Sequence, residues 1–151
     1  MPIEQTLILI KPDGLFRKLT GLTIDRLDAS GLEMVAAKVL GVSEELAREH
    51  YQEHVGKPFY PSLIRYIRGE FHGLKDHRIL AMVYRGENAI AKVREVAGAT
   101  NPEQAAPGTI RGSFGRVTTA GQFENVLHAS ANPADAAREI SLWFKREEIL
   151  P

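Results

Sequence analysis

His128 lies in the stretch Asn125-Val126-Leu127-His128-Ala129-Ser130, where an apolar run hands over to the start of a helix at Pro133. An imidazole held at the end of an element can act as a nucleophile, a general base, a metal ligand or a buried structural group. Other polar residues also fall where ordered elements end. Lys11 follows a short apolar run, Tyr51 closes a helical stretch, Arg94 lies near the end of another, and Thr100 and Arg111 sit in a long connection. Cations and hydroxyls are what a di- or triphosphate requires, because guanidinium takes phosphate oxygens in a bidentate way. Taken singly, each of these residues is equally a solvated surface side chain, and spacing alone does not bring them to His128.

The chain of 151 residues has the size of one domain with a real core, spanning 1–151. Its hydrophobic fraction of 44% and charged fraction of 25% are those of a globular protein. Lys+Arg and Asp+Glu both number 19, so any anion site must come from local clustering and not from net charge. The absence of cysteine excludes a disulfide framework, a thiolate metal site and a Cys nucleophile. The N-terminus lacks the basic region and long apolar run of a signal peptide, and no stretch reaches the length of a membrane span. A cytoplasmic location is the resulting expectation.

The elements that must position these residues can be read from pattern. Residues 6–10 (TLILI) form a strand buried on both faces, ending in a turn at Lys11-Pro12-Asp13-Gly14. A helix over 20–30 stops at Gly31, and a strand follows over 32–42. Ser43 caps a helix running to about His50-Tyr51, with acidic residues in its first turn. Another helix begins at Phe59-Tyr60-Pro61, residues 68–78 form a polar loop, and 79–84 (ILAMVY) form a strand. Residues 88–97 form a helix with Asn88 at its N-cap, and residues 98–122 are a long connection of the kind that is often functional. The last strand spans 123–127, and Asn132-Pro133-Ala134-Asp135 opens the last helix.

Strands alternating with helices in this order predict an α+β fold: a ferredoxin-like sandwich with a four-stranded, mainly antiparallel sheet and helices on one face. A doubly wound parallel sheet is the alternative. Neither G-x-x-x-x-G-K-[ST] nor G-x-G-x-x-G is present, so phosphate here is not handled by a glycine-rich loop.

Six segments then carry a family resemblance: residues 6–14 (TLILIKPDG), His50-Tyr51 followed by Lys57-Pro58-Phe59, residues 98–102 (GATNP), 107–112 (PGTIRG), 125–130 (NVLHAS) and 138–144 (REISLWF). In order and spacing they resemble the nucleoside diphosphate kinases along nearly the whole chain. The resemblance implies ping-pong transfer of a γ-phosphoryl group through Nδ1 of His128. It implies that Lys11 meets the γ-phosphate and the ribose 3′-hydroxyl, and that Tyr51 lies close to the γ-phosphate. Arg94 and Thr100 would hold the β-phosphate, Arg111 would bridge toward the γ-phosphate, and Asn125 would bind the ribose. Glu139 would reach back to orient the imidazole, with Ser130 assisting. Phe59 would stack on the base with weak selection among bases, since every base offers a π-face. Mg²⁺ would arrive with the phosphates, with Glu53 in its neighbourhood. The family's usual hexamer is the expected assembly, with a tetramer or dimer as alternatives.

The chain departs from the family at three places. Ala129-Ser130-Ala131 stands where Gly-Ser-Asp is common, and residues 68–78 and 115–122 are longer than in compact members, which places both near expected subunit contacts. Two other functions compete. A nucleic-acid or regulatory module on the same fold would need aromatics along its strands, and 6–10 and 79–84 are aliphatic apart from Tyr84. A member without catalysis is opposed by the presence of every motif residue named above.

Overall fold

The apolar run near the N-terminus becomes the centre of the molecule, of which a computed structural model describes residues 2–151. Strand β1 (Ile3–Ile10) is longer than its apolar part. It is followed by α1 (Pro12–Phe16), α2 (Thr20–Asp28), β2 (Glu33–Gly41), α3 (Glu44–His50), α4 (Tyr60–Ile67) and β3 (Arg78–Glu87). Then come α5 (Ala89–Ala97), α6 (Ile110–Phe114), β4 (Arg116–Val117), β5 (Phe123–Glu124), β6 (Leu127–Ala129) and α7 (Pro133–Trp143). The main sheet is four-stranded, in the order β2-β3-β1-β6, and every pairing in it is antiparallel. The ferredoxin-like expectation holds and the doubly wound parallel sheet is excluded.

The expectation of helices on one face is corrected. Leu7 and Leu9 of β1 join Ala81, Val83, Ala47, Ile64, Ile67, Ile140 and Trp143, which belong to β3, α3, α4 and α7. Ile8 and Ile10 join Met82, Tyr84, Leu27, Val93, Ala97, Ile110 and Leu127 on the other side, where α2, α5 and α6 lie. Alternate side chains of a strand point to opposite faces, so a run apolar at every position needs cover on both. All four residues from Leu7 to Ile10 are fully buried.

Local signals for helix ends are met by side chains. Ser43 accepts from the Leu46 amide and Asn132 from the Asp135 amide, each satisfying an amide that the first helical turn leaves open. Asn88 precedes α5 with φ of +51°, a left-handed backbone that asparagine tolerates better than most residues. The turn expected at residues 11–14 is instead the start of α1, with Pro12 at a position where its missing N–H costs nothing. Gly14 lets this helix approach the sheet: a Cβ there would lie 2.9 Å from the Val126 carbonyl oxygen and 3.0 Å from Ile10 Cγ2.

The last strand also differs from expectation. Residues 123–124 leave the main sheet and pair with β4 as a separate ribbon, while β6 pairs with β1 and sets His128 opposite Leu9. The break is Val126, whose φ is +72°. A β-branched residue in that region costs about 1–3 kcal/mol and persists only where its surroundings demand it. Here the Lys11 amide donates to the Val126 carbonyl at 2.9 Å, and the Val126 amide donates to Asp13 Oδ2 at 3.0 Å. The other Asp13 oxygen accepts from the Tyr66 hydroxyl. Asp13 thus ties α1, α4 and the entry to β6 together. Asp13→Ala would strand two buried donors at about 1–3 kcal/mol each, so it should lower unfolding free energy by about 2–6 kcal/mol in urea titration.

Candidate active site

His128 projects from β6 toward α7 and α3, because Leu127 and Ala129 occupy the opposite face. Its Nε2 lies 2.9 Å from Glu139 Oε1 of α7. The same oxygen accepts from Ser130 Oγ at 2.7 Å, and Ser130 Oγ in turn accepts from the Leu7 amide at 3.1 Å. Glu139 is buried, and burial pushes its carboxyl up, but the bonds from His128 and Ser130 outweigh this and hold it below the usual range. An ionised carboxylate only accepts, so the imidazole proton belongs on Nε2 and the lone pair on Nδ1. Among the described residues Nδ1 has no hydrogen-bond partner. Burial lowers the His128 pKa, Glu139 opposes the shift, and Lys11 and Arg111 add to it, leaving the ring neutral at neutral pH.

A second histidine braces the first. The ring of His50, from the end of α3, stands edge-on to His128 with centroids 4.6 Å apart. Trp143 Nε1 donates to His50 Nδ1 at 3.1 Å, which puts the His50 proton on its own Nε2. Burial first, then the neighbouring His128 and Lys11, hold His50 well below the ordinary imidazole range. His50, His128 and Glu139 bring ligand-capable atoms within 4.8 Å of one another, as a metal site would. Their hydrogen bonds already account for His50 Nδ1, His128 Nε2 and Glu139 Oε1.

The cations are gathered on the same cavity, of about 680 Å³, which Lys11, Tyr51, Glu53, Phe59, Arg94, Thr100, Arg111, Asn125, His128 and Glu139 all border. Lys11 is buried and donates to Asn125 Oδ1 at 2.9 Å, and Asn125 Nδ2 donates to the Thr100 carbonyl at 2.9 Å. Burial, helped by the charge of Arg111, brings the Lys11 ammonium down to about 7. Arg111 is buried as well. Its guanidinium donates to the carbonyls of Leu127 at 2.7 Å, Gly98 at 2.9 Å and Asn125 at 3.3 Å. Burial and the nearby Arg94 lower it to about 10, still cationic at neutral pH. Arg94 and Thr100 are exposed at the rim. Among the described residues, none of the three cations has a carboxylate within ion-pair distance.

Tyr51 is buried beside them, and its hydroxyl has no hydrogen-bond partner among the described residues. Burial pushes its pKa up, so it is a neutral donor. Leaving such a group unsatisfied costs about 1–3 kcal/mol, a cost that a ligand oxygen would remove. Phe59 is half exposed at the far end, between the Lys57 ammonium at 5.7 Å and the His54 ring at 5.5 Å. Every site residue expected from sequence therefore borders one cavity or, for Ser130, supports a residue that does. Four contributors were not foreseen as such. His50 and Trp143 fall within segments that carry the resemblance, Asp13 falls in the turn expected at 11–14, and Tyr66 is not singled out by the sequence. Burial gives each its role, and the local signals are slight: His50 directly precedes Tyr51, and Asp13 lies two residues after Lys11. The first long stretch, 68–78, meets β5, just after the second one, through His72 Nε2 and Glu124 Oε2 at 3.1 Å.

Comparisons with known proteins point to a single family. The family model described as nucleoside diphosphate kinase matches residues 4–149. A nucleoside diphosphate kinase of Bacillus licheniformis is 44% identical over 98% of this chain and 93% of its own. One from Archaeoglobus fulgidus is 47% identical over 98% of this chain and 91% of its own. Among solved structures, a transition state mimic of the Borrelia burgdorferi enzyme with bound vanadate and ADP superposes with a TM-score of 0.87 at 41% identity. It covers 99% of this chain and 91% of that one. The Halobacterium salinarum enzyme in complex with CDP gives a TM-score of 0.86 at 39% identity, covering 99% and 93%.

Proposed function

The chain belongs to the nucleoside diphosphate kinase family and is a nucleoside diphosphate kinase, and on that premise we propose that His128 carries the phosphoryl group between donor and acceptor nucleotides. The observation that carries this reading is the bond from His128 to Glu139, which commits Nε2 and leaves a neutral Nδ1 beside three cations without carboxylate partners. Nδ1 attacks the γ-phosphorus of a nucleoside triphosphate. The Nδ1–P bond forms, the bridging P–O bond breaks, and its electron pair leaves with the diphosphate. The ring gains positive charge in this step, and the Glu139 carboxylate at Nε2 stabilises it. A second diphosphate then attacks the same phosphorus through a terminal β-phosphate oxygen: the O–P bond forms, the Nδ1–P bond breaks, and its electron pair returns to Nδ1, which leaves the ring neutral.

In the same proposal Lys11, Arg111 and the Tyr51 hydroxyl meet the γ-phosphoryl group, while Arg94 and Thr100 hold the β-phosphate. Asn125 takes the ribose hydroxyl and Phe59 stacks on the base. Phosphoryl transfer depends chiefly on positioning and charge, and rigid elements supply both here. Magnesium fits as an ion that arrives with the nucleotide. Glu53 is an exposed carboxylate on the cavity, whereas Glu139 is taken by His128 and Ser130, so the ion's ligands would be mainly phosphate oxygens and water. Bound to the phosphates, it would neutralise part of their charge. A homo-oligomer, with the hexamer as the favoured form, completes the proposal. Met34 and Val39 on the edge strand β2 are exposed and suited to cover by another copy. No helix among the described residues is long and apolar enough to cross a membrane. The proposed location is the cytoplasm.

Incubation with γ-labelled ATP and Mg²⁺ should give an acid-labile, base-stable phosphoprotein that any nucleoside diphosphate discharges, and His128→Ala should take no label. Label retained by that variant would overturn the assignment. Protonation removes the nucleophilic lone pair, and the His128 pKa is lowered. The acid limb of kcat/KM should therefore fall below about pH 6.5, the ordinary imidazole value. Lys11 is brought down to about 7 in the free protein, and phosphate restores its charged form. Binding of a non-hydrolysable ATP analogue, which brings the γ-phosphate to Lys11, should therefore take up a proton at pH 8, read from calorimetric heats in buffers of different ionisation enthalpy. Lys11→Arg should abolish the uptake.

A further inference from the structure

The ribbon of β4 and β5 takes no part in the phosphate end of the site, yet its tip forms one wall of the cavity. Strands β4 and β5 pair Arg116 with Glu124 and Val117 with Phe123. Between them the chain turns tightly. The Gly121 amide donates to the Thr118 carbonyl at 2.8 Å, and the Gln122 amide donates to Thr118 Oγ1 at 3.0 Å. Gly121 has φ of +83°, which a residue without Cβ adopts freely. Ala120, Gly121, Gln122 and Phe123 border the cavity together with Phe59. None of these four carries a charge, so the tip adds no cation to the phosphate end. An amide and an aromatic ring suit the nucleoside end.

What holds the tip in place lies at the other end of the ribbon. Glu124 Oε1 accepts from Arg116 Nε at 2.8 Å, a bond within the ribbon itself. Its second oxygen, Oε2, lies 3.1 Å from His72 Nε2, on the connection between α4 and β3. The side chains of His72 and Glu124 are both buried, at 8% and 7% exposure, whereas Arg116 is 64% exposed. The His72 ring rests against Phe16 at 5.8 Å and Tyr66 at 6.0 Å, so α1 and α4 fix it. The Glu124–His72 bond is therefore a buried polar tie from the ribbon to the body of the protein. Glu124 also directly precedes Asn125, the partner of Lys11, so movement of the ribbon is transmitted to the ribose side of the site.

We propose that His72 and Glu124 form a staple that sets the ribbon tip against the nucleoside, making them positioning residues for nucleotide affinity, with Gln122 and Phe123 as the groups that touch it. This rests on the reading of the cavity as the nucleotide site, and the test separates the two. His72→Leu removes the tie while leaving the Arg116–Glu124 bond. It should raise KM for nucleoside diphosphates by about tenfold and leave kcat within about twofold, the pattern of lost binding without lost chemistry. His72→Gln, whose amide can still donate to Glu124, should recover most of the affinity. Competitive inhibition by inorganic tripolyphosphate, which has no nucleoside, should be unchanged in both.

Gln122→Ala alters the tip without touching the staple and should raise the same KM by about threefold or more, with little further loss when added to His72→Leu. Labelling of His128 at saturating ATP should stay at the level of the unsubstituted protein in every variant; failure in the unsubstituted protein would indict the nucleotide-site reading and not the staple, whereas failure confined to a folded variant overturns the staple. An unchanged KM in folded His72→Leu overturns the staple, as does a loss of tripolyphosphate inhibition equal to the loss for ADP. Should His72→Leu fail to fold, an unchanged KM in Gln122→Ala overturns the proposal by itself.

Discussion

Two buried cations without carboxylate partners set the terms for the rest of the structure. Removing a charge from water costs several kcal/mol unless other groups replace the solvent. Arg111 meets the cost with three backbone carbonyls, which hold the guanidinium fork in place without neutralising it. Lys11 meets it less fully, with Asn125 Oδ1 and the field of Asp13, and its ammonium falls to about 7 as a result. Positive charge held in this condition is stabilised by an anion bound beside it. The buried Tyr51 hydroxyl, which has no partner among the described residues, is a donor suited to the same anion.

Such an arrangement needs a rigid frame. Strand β1 supplies it, with four consecutive residues fully buried between two layers of helices and Lys11 at its end. The strained backbone at Val126 follows from the same demand. It releases the chain from β5 and turns it into β6, so that Asn125 reaches Lys11 while His128 faces α7. Asp13 holds the strained peptide in place and is itself held by Tyr66. Backbone strain, a buried carboxylate and a buried lysine thus form one unit, none of which would be stable alone.

This explains which parts were legible in the sequence. Features with a local cause were readable. The caps at Ser43 and Asn132, the apolar runs at 6–10 and 79–84, and Pro133 at a first helical position all act through neighbours in the chain. The split of 123–129 into two strands was not readable, because a valine in a β-rich run carries no local sign of a left-handed backbone. Its cause is Asp13, 113 residues away. Cover on both faces of the sheet was implied by the unbroken apolar run but needed the helices to be assigned to sides. At the site, the expected residues were found by motif, and their convergence had to be seen. His50 and Trp143 act only through burial and each other, so nothing in their spacing announced them.

Charge is segregated along the axis of the imidazole. Trp143 can only donate, so its bond fixes the tautomer of His50, and burial keeps His50 neutral although it stands 4.6 Å from His128. A cationic His50 would oppose the positive charge that His128 gains on taking a phosphoryl group. A neutral one braces the ring without altering the field. Glu139 is then the charged group bonded to the ring itself, and its carboxylate lies at Nε2. Attack and release through one nitrogen, as proposed for His128, need this asymmetry. Negative charge on the bound nitrogen's side would repel the phosphates, whereas at Nε2 it stabilises the phosphorylated ring and leaves the cations to the ligand.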